Sequence, residues 1–139
     1  MCKFKDHFSS DSKGYCNYRP HYPNDLFSYL ATLTVQHQCA WDCATGNGQA
    51  AHQLAKYYKQ VIATDASAQQ IDKAISTDNI RYEVASAEKT NLNSESIDLI
   101  TVAQALHWFD IEAFALEATR VLKPDGIVAA WTYNLLSIT

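Results

Sequence analysis

From residue 38 onward, the apolar positions of this chain fall into short continuous runs separated by stretches with helical spacing. "QCAWDCA" (38–44) suits a buried strand, and Gly48 to Tyr58 repeats its apolar residues at helical intervals. "KQVIATD" (59–65) predicts a second strand, and "SAQQIDKAI" (67–75) a helix opened by Ser67 as N-cap. "NIRYEVA" (79–85) and "SIDLITVAQ" (96–104) read as the third and fourth strands, and "FDIEAFALEATRVL" (109–122) as a helix. Pro124 to Gly126 predicts a sharp turn, followed by "IVAAWTY" (127–133) as the fifth strand. Strands alternating with helical segments of this length form βαβ units. Near-continuous apolar runs fit a parallel sheet covered on both faces, so the expected fold is doubly wound α/β.

Ahead of these units lies "FSSDSKGYCNYRPHYPNDLFSYLATL" (8–33), polar in its first half, with Asn24 or Asp25 placed to cap a helix running to about Thr34. The aromatic residues Phe4, Phe8, Tyr15, Tyr18 and Tyr22 read as packing against the domain, with a flap over a ligand as the alternative. No repeat, low-complexity tract or second-domain linker interrupts the pattern.

Composition narrows the function classes. At 139 residues, 47% hydrophobic and 19% charged, the chain has the balance of one globular domain with a core. Its net charge of -4 and pI near 5.6 argue against nucleic acid as a partner, which calls for clustered Lys and Arg. "MCKFKDHF" lacks the apolar core of a leader, and no run approaches the roughly 18 apolar residues of a membrane span. The expectation is a soluble, cytoplasmic protein. None of the four cysteines forms a C-x-x-C pair and no histidines show H-x-x-x-H spacing, so no metal site is expected. Cys39 and Cys43 share one pleat face and read as small buried hydrophobes.

Two of only four glycines, Gly46 and Gly48, sit in the turn after the first strand. Glycine is required where backbone takes positive φ or approaches a ligand closely, so scarce glycines gathered here point to a binding turn; a plain tight turn is the alternative. Gly46 through Ala51 satisfies G-x-G-x-x-G/A, with Asp65 19 residues beyond Gly46 where an acid binds ribose hydroxyls. On that reading the chain is an NAD-binding oxidoreductase domain. Asp42 favours a different cofactor. It ends the first strand in "DCATGNG", and a buried carboxylate there needs partners such as loop amides or a cationic amine.

In this layout "DCATGNG" resembles the first motif of class I S-adenosylmethionine-dependent methyltransferases. The resemblance continues through "NYRPHYP", "WDCATGNGQAA", "VIATDAS", "YEVASAEKT", "IDLITVAQALHWFD" and "EATRVLKPDGIVAAW", in the order and spacing of the branch that includes trans-aconitate methyltransferases and fungal and plant relatives. It implies a Rossmann-like, mostly parallel sheet of order 3-2-1-4-5. It also implies S-adenosyl-L-methionine as cofactor, bound by Tyr18, Arg19, Asp42, Ala44, Thr45, Gly46, Asn47, Gly48, Asp65, Ala66, Ala87, Glu88, Ala103 and Gln104. Asp42 would order the turn and the methionine amine, Asp65 would hold both ribose hydroxyls, and Ala87 and Glu88 would lie beside the adenine. Ala103 and Gln104 would lie beside the methionine end, with Tyr18 and Arg19 over the cofactor. His107 reads as the catalytic base or acceptor-orienting group and Trp108 as a wall of the substrate pocket. Their alternatives are a capping histidine and a packing tryptophan. Arg120 reads as a structural ion-pairing residue.

Two departures from the family pattern stand out. Ala44 occupies the position of the family's first glycine, and the family's sheet normally has seven strands whereas this chain ends soon after the fifth. The expectation is one methyltransferase domain over 1–139, with a cap segment and helix at 1–36 and the cofactor-binding core at 37–139. It would lack strands six and seven through truncation at the carboxyl end, or as a reduced relative. The acceptor is expected to be a small molecule, with a carboxylate as one candidate; a non-catalytic cofactor-binding remnant is the alternative. With no charge in "IVAAWTY", the fifth strand would be an exposed edge, pairing with a second copy as a homodimer or covered by "NLLSIT" folding back.

Overall fold

The computed structural model describes residues 24–74, 76–103, 110–131 and 136–138. Its elements are α1 (Asn24–Leu33), β1 (Cys39–Cys43), α2 (Gln49–Leu54), β2 (Gln60–Asp65), α3 (Ala68–Asp72) and β3 (Ile80–Val84). They continue with β4 (Ile97–Ala103), α4 (Ile111–Val121), β5 (Leu122–Trp131) and β6 (Leu136–Ile138). The sheet order is β3-β2-β1-β4-β5-β6, with the first five strands parallel and β6 antiparallel to β5. The parallel order 3-2-1-4-5 is the one expected. Of the two arrangements expected at the β5 edge, the structure has the fold-back: Leu136, Ser137 and Ile138 pair with Trp131, Ala130 and Ala129.

The strict two-residue period of the strands divides the core in two. Ala40, Val61, Ala63, Leu99, Ala129 and Trp131 face α1 and α2, where Phe27, Leu30, Ala51 and Leu54 meet them. Trp41, Cys43, Ile62, Ile100 and Val102 face the other way, onto Phe114, Ala118 and Val121 of α4. Apolar side chains on both faces leave the central strands no polar face. Their sequences therefore read as continuous runs rather than as an alternation. Cys43 is fully buried and Cys39 half-buried, both in the second cluster.

Several boundaries differ from the sequence reading. Helix α2 is six residues long, against the expected stretch to Tyr58. Past its end, Asn79 Nδ2 donates to Ala55 O at 2.9 Å and to Tyr58 O at 3.1 Å, holding the turn that leads into β2. Asn24 begins α1 rather than capping it, with Asp25 in the first turn, where a negative charge complements the helix dipole. Ser67 caps α3 as expected, accepting from Gln70 N at 3.3 Å. The expected turn at Pro124 to Gly126 is a bulge within β5: Ile97 pairs with Leu122 but Leu99 with Ile127, so residues 123–126 leave the ladder.

Candidate functional site

The carboxyl ends of β1 and β2 bring together Asp42, Thr45, Thr64 and Asp65. The turn that leaves β1 takes left-handed backbone at Ala44 (φ 58), Gly46 (φ 59) and Gly48 (φ 89). The two glycines are needed for different reasons. A Cβ on Gly46 would meet nothing within 4 Å, so the turn opens to free space there, whereas a Cβ on Gly48 would run into the Tyr82 hydroxyl. Ala44 has no such freedom and holds a conformation that costs an L-residue roughly 1 kcal/mol. The departure from the family's glycine is therefore a strained residue within the turn itself.

Two carboxylates hold this turn. Asp42 is 1% exposed, accepting from Thr45 Oγ1 at 2.6 Å and from Thr101 Oγ1 at 2.7 Å. Its carboxyl is pushed up to about 6, raised by burial and by the charge of Asp65. The two threonine hydroxyls and the Ala51 amide pull it down. Asp65 reaches back from the end of β2: Gly46 N donates to its Oδ2 at 2.9 Å, and Ser67 N to its Oδ1 at 2.9 Å. The backbone closes the arrangement, with Thr45 N on Thr64 O at 2.8 Å and Gly48 N on Thr45 O at 3.0 Å.

A third carboxylate lies nearby on the segment after β3. Glu88 Oε2 accepts from the amide of Asp110, the N-cap of α4, at 2.9 Å. Burial raises the Cys43 thiol well above its usual range, and the charges of Asp42, Glu88 and Asp65 add to it. Among the described residues, the ion pairs join Arg81 to Glu83, Arg120 to Glu117 and Lys123 to Asp98, so none neutralises these three. The site is a pair of carboxylates beside an open, glycine-containing turn.

The structure brings Asp42, Ala44, Thr45, Gly46, Asn47, Gly48, Asp65 and Ala66 together around this turn, with Asn47 and Ala66 exposed. Ala87 is buried in the α4-side core beside Glu88, and Ala103 is half-buried at the end of β4 opposite Trp131. Tyr18, Arg19, Gln104, His107 and Trp108 lie outside the described residues. Thr101, Tyr82 and Thr64, which accepts from Trp41 Nε1 at 2.9 Å, escaped sequence reasoning. The available signal for Thr101 was one hydroxyl inside the apolar run "IDLITVA", which a buried central strand carries only with a partner. Arg120 is structural, as expected: its guanidinium donates to both oxygens of Glu117, at 3.0 and 2.8 Å.

A family model described as "Methyltransferase domain" matches residues 41–130. A protein of Dictyostelium discoideum named as a methyltransferase is 45% identical over 138 residues, covering 99% of this chain and 52% of that protein. One of Saccharomyces cerevisiae named as an S-adenosylmethionine-dependent methyltransferase is 29% identical over 132 residues, covering 88% of this chain and 45% of its own length. The solved structure of a type II methyltransferase from Anaeromyxobacter dehalogenans superposes with a TM-score of 0.79 at 40% identity, covering 83% of this chain and 49% of the other. The chain thus spans about half the length of these relatives.

Proposed function

From the premise that this chain belongs to the class I S-adenosylmethionine-dependent methyltransferases, we propose that it binds S-adenosyl-L-methionine at the carboxyl ends of β1 and β2 and serves methyl transfer to a small-molecule acceptor. The observation that carries this reading is the pair of carboxylates on the Gly46 turn, Asp42 accepting from Thr45 and Asp65 from the Gly46 amide. A dinucleotide pyrophosphate is held by free loop amides. Here the Gly46 amide is already given to Asp65, and two carboxylates flank the turn. Such a site repels a pyrophosphate and attracts a cationic amine and sulfonium.

The residues fit this cofactor. Each Asp65 oxygen accepts one backbone amide and retains a second lone pair, so the carboxylate can also accept ribose hydroxyls. The open side of Gly46 leaves room for the ligand against the turn. The cofactor, when bound, supplies a sulfonium methyl for in-line displacement. The chain's part is to hold that methyl and the acceptor in near-attack geometry. In this reading Asn47, Gly48 and Ala66 complete the ribose side, Ala87 and Glu88 lie beside the adenine, and Ala103 and Gln104 lie beside the methionine end. Tyr18 and Arg19 close over the cofactor, His107 orients or deprotonates the acceptor, and Trp108 walls its pocket. A carboxylate is one candidate acceptor, and the cytoplasm is the proposed location. No helix among the described residues is long and apolar enough to cross a membrane. A homodimer through the β5 edge would use the part of that edge that β6 does not pair with.

Calorimetric titration tests the reading. S-adenosylhomocysteine is expected to bind and NAD at equal concentration to give no heat. Asp65→Ala should weaken the former by roughly 1 to 3 kcal/mol, through the loss of charge-assisted hydrogen bonds. Binding of NAD with no response to S-adenosylhomocysteine would overturn it.

A further inference from the structure

The Asp42 carboxylate is almost entirely out of solvent, and both its oxygens already accept threonine hydroxyls. It therefore acts on a ligand chiefly through the turn it shapes and the charge it carries. Thr45 is the link to the turn, being two residues short of Asn47 and bonded through its own amide to β2. Thr101 is the other link. It is fully buried, and its Cα is registered directly opposite Asp42 in the β1–β4 ladder, so the hydroxyl crosses from one strand to the next to reach the carboxylate.

We propose that Thr101 is a positioning residue of the cofactor site: its hydroxyl, donated across the ladder, keeps Asp42 ionised and turned toward Thr45, the form that shapes the turn for the cofactor's methionine end. The inference rests on the cofactor reading above. The physical reason is that an ionised carboxylate accepts from both hydroxyls at once. A protonated one has an O–H to place and must give up or weaken one of the two bonds. Loss of the Thr45 bond frees the turn, and loss of the charge removes attraction for a cationic amine.

The groups that face Asp42 sharpen this. Asp65 on β2 disfavours the charged form, and so does burial. Tyr82 on β3 and Cys43 on β1 feel its charge, but burial raises both above their ordinary values, so they stay neutral through neutral pH. The Ala51 amide of α2 and the two hydroxyls are the stabilising contacts. No described lysine or arginine pairs with Asp42, so each hydroxyl bears directly on its proton.

The test follows the Asp42 carboxyl carbon by NMR, assigned with Asp42→Asn, and S-adenosylhomocysteine affinity by calorimetry, both from pH 5 to 8.5. Thr101→Val keeps the shape and removes the hydroxyl, and Thr101→Ala removes it without adding a methyl. Either is expected to raise the Asp42 midpoint by about one pH unit. Affinity should then be about tenfold weaker than in the parent below pH 6 and within about twofold of it by pH 8. Thr101→Ser, which retains the hydroxyl, should restore both. An unchanged midpoint, or a loss of affinity equal at every pH, would overturn the proposal. Failure of the parent protein to bind S-adenosylhomocysteine at any pH would defeat the cofactor reading instead, and the carboxyl titration would still decide whether Thr101 governs the Asp42 proton.

Discussion

Asp42 and Glu117 are both buried carboxylates, 1% and 8% exposed, yet their surroundings push them in opposite directions. Glu117 accepts the Thr90 amide at 2.8 Å, the Thr90 hydroxyl at 2.6 Å and a two-pronged Arg120, and its carboxyl is held down at about 2, chiefly by Arg120. Asp42 has two hydroxyls and a distant amide but no cation, and is pushed up to about 6. A carboxylate matched by a cation within its own fold fastens the loop before β4 onto α4. One given only neutral donors is left partly uncompensated, which is the condition of a group whose cation comes from a ligand.

The largest expected effect is on the fastened side. Glu117→Ala removes the acceptor for a backbone amide, a hydroxyl and a guanidinium, and should cost about 3 kcal/mol in urea denaturation. The affinity of the folded fraction for S-adenosylhomocysteine should stay unchanged. A variant as stable as the parent would remove the contrast.

Asp42→Asn should do the reverse. It relieves a buried charge, so stability at pH 7 should rise by roughly 1 to 2 kcal/mol while cofactor affinity falls. Lower stability together with intact binding would show Asp42 to be a fastener as well.

Acid titration of the unliganded protein separates the two acids by sign. Glu117 titrates below its usual 4.5, so its stabilisation is present above pH 4.5 and is lost as pH falls toward about 2. Asp42 titrates above its usual 3.8, so its protonated form favours the fold. That contribution is full below pH 3.8 and is lost as pH rises through about 6. Thermal melts across this range should show both slopes, and Asp42→Asn should abolish only the second.

The smallest expected change is at Ala44. Ala44→Gly relieves left-handed strain, partly offset by greater freedom of the unfolded chain, and should raise stability by about 0.5 kcal/mol. A drop in melting temperature would show that the alanine methyl contributes packing that outweighs the strain.

The five parallel strands were legible because each is a local apolar run, whereas their order came from the resemblance to the methyltransferase family. The N-cap at Ser67 was legible for the same local reason, since cap and amide are three residues apart. The end of α2 was not legible, because the segment that follows it is held by Asn79, 24 residues beyond Ala55. The strand β5 boundary was hidden by Pro124 and Gly126, which mark a turn in sequence and a bulge in the sheet.

At the site, Asp42, Gly46, Gly48 and Asp65 announced themselves as a charge and glycines at strand ends. Thr101 did not, since a single hydroxyl in an apolar run acquires meaning only from what lies opposite it.

The sequence by itself determined which residues face inward and where the glycine turn after β1 lies, because side-chain alternation, helical spacing and glycine conformation are properties of neighbouring residues. Only the tertiary structure decided the proton balance of Asp42. Its hydroxyl partner is 59 residues away, brought within 2.7 Å by the β1–β4 register, and its charge is opposed by an acid on another strand. Electrostatic energy depends on distance and on exclusion of water, and both are fixed by packing rather than by order along the chain.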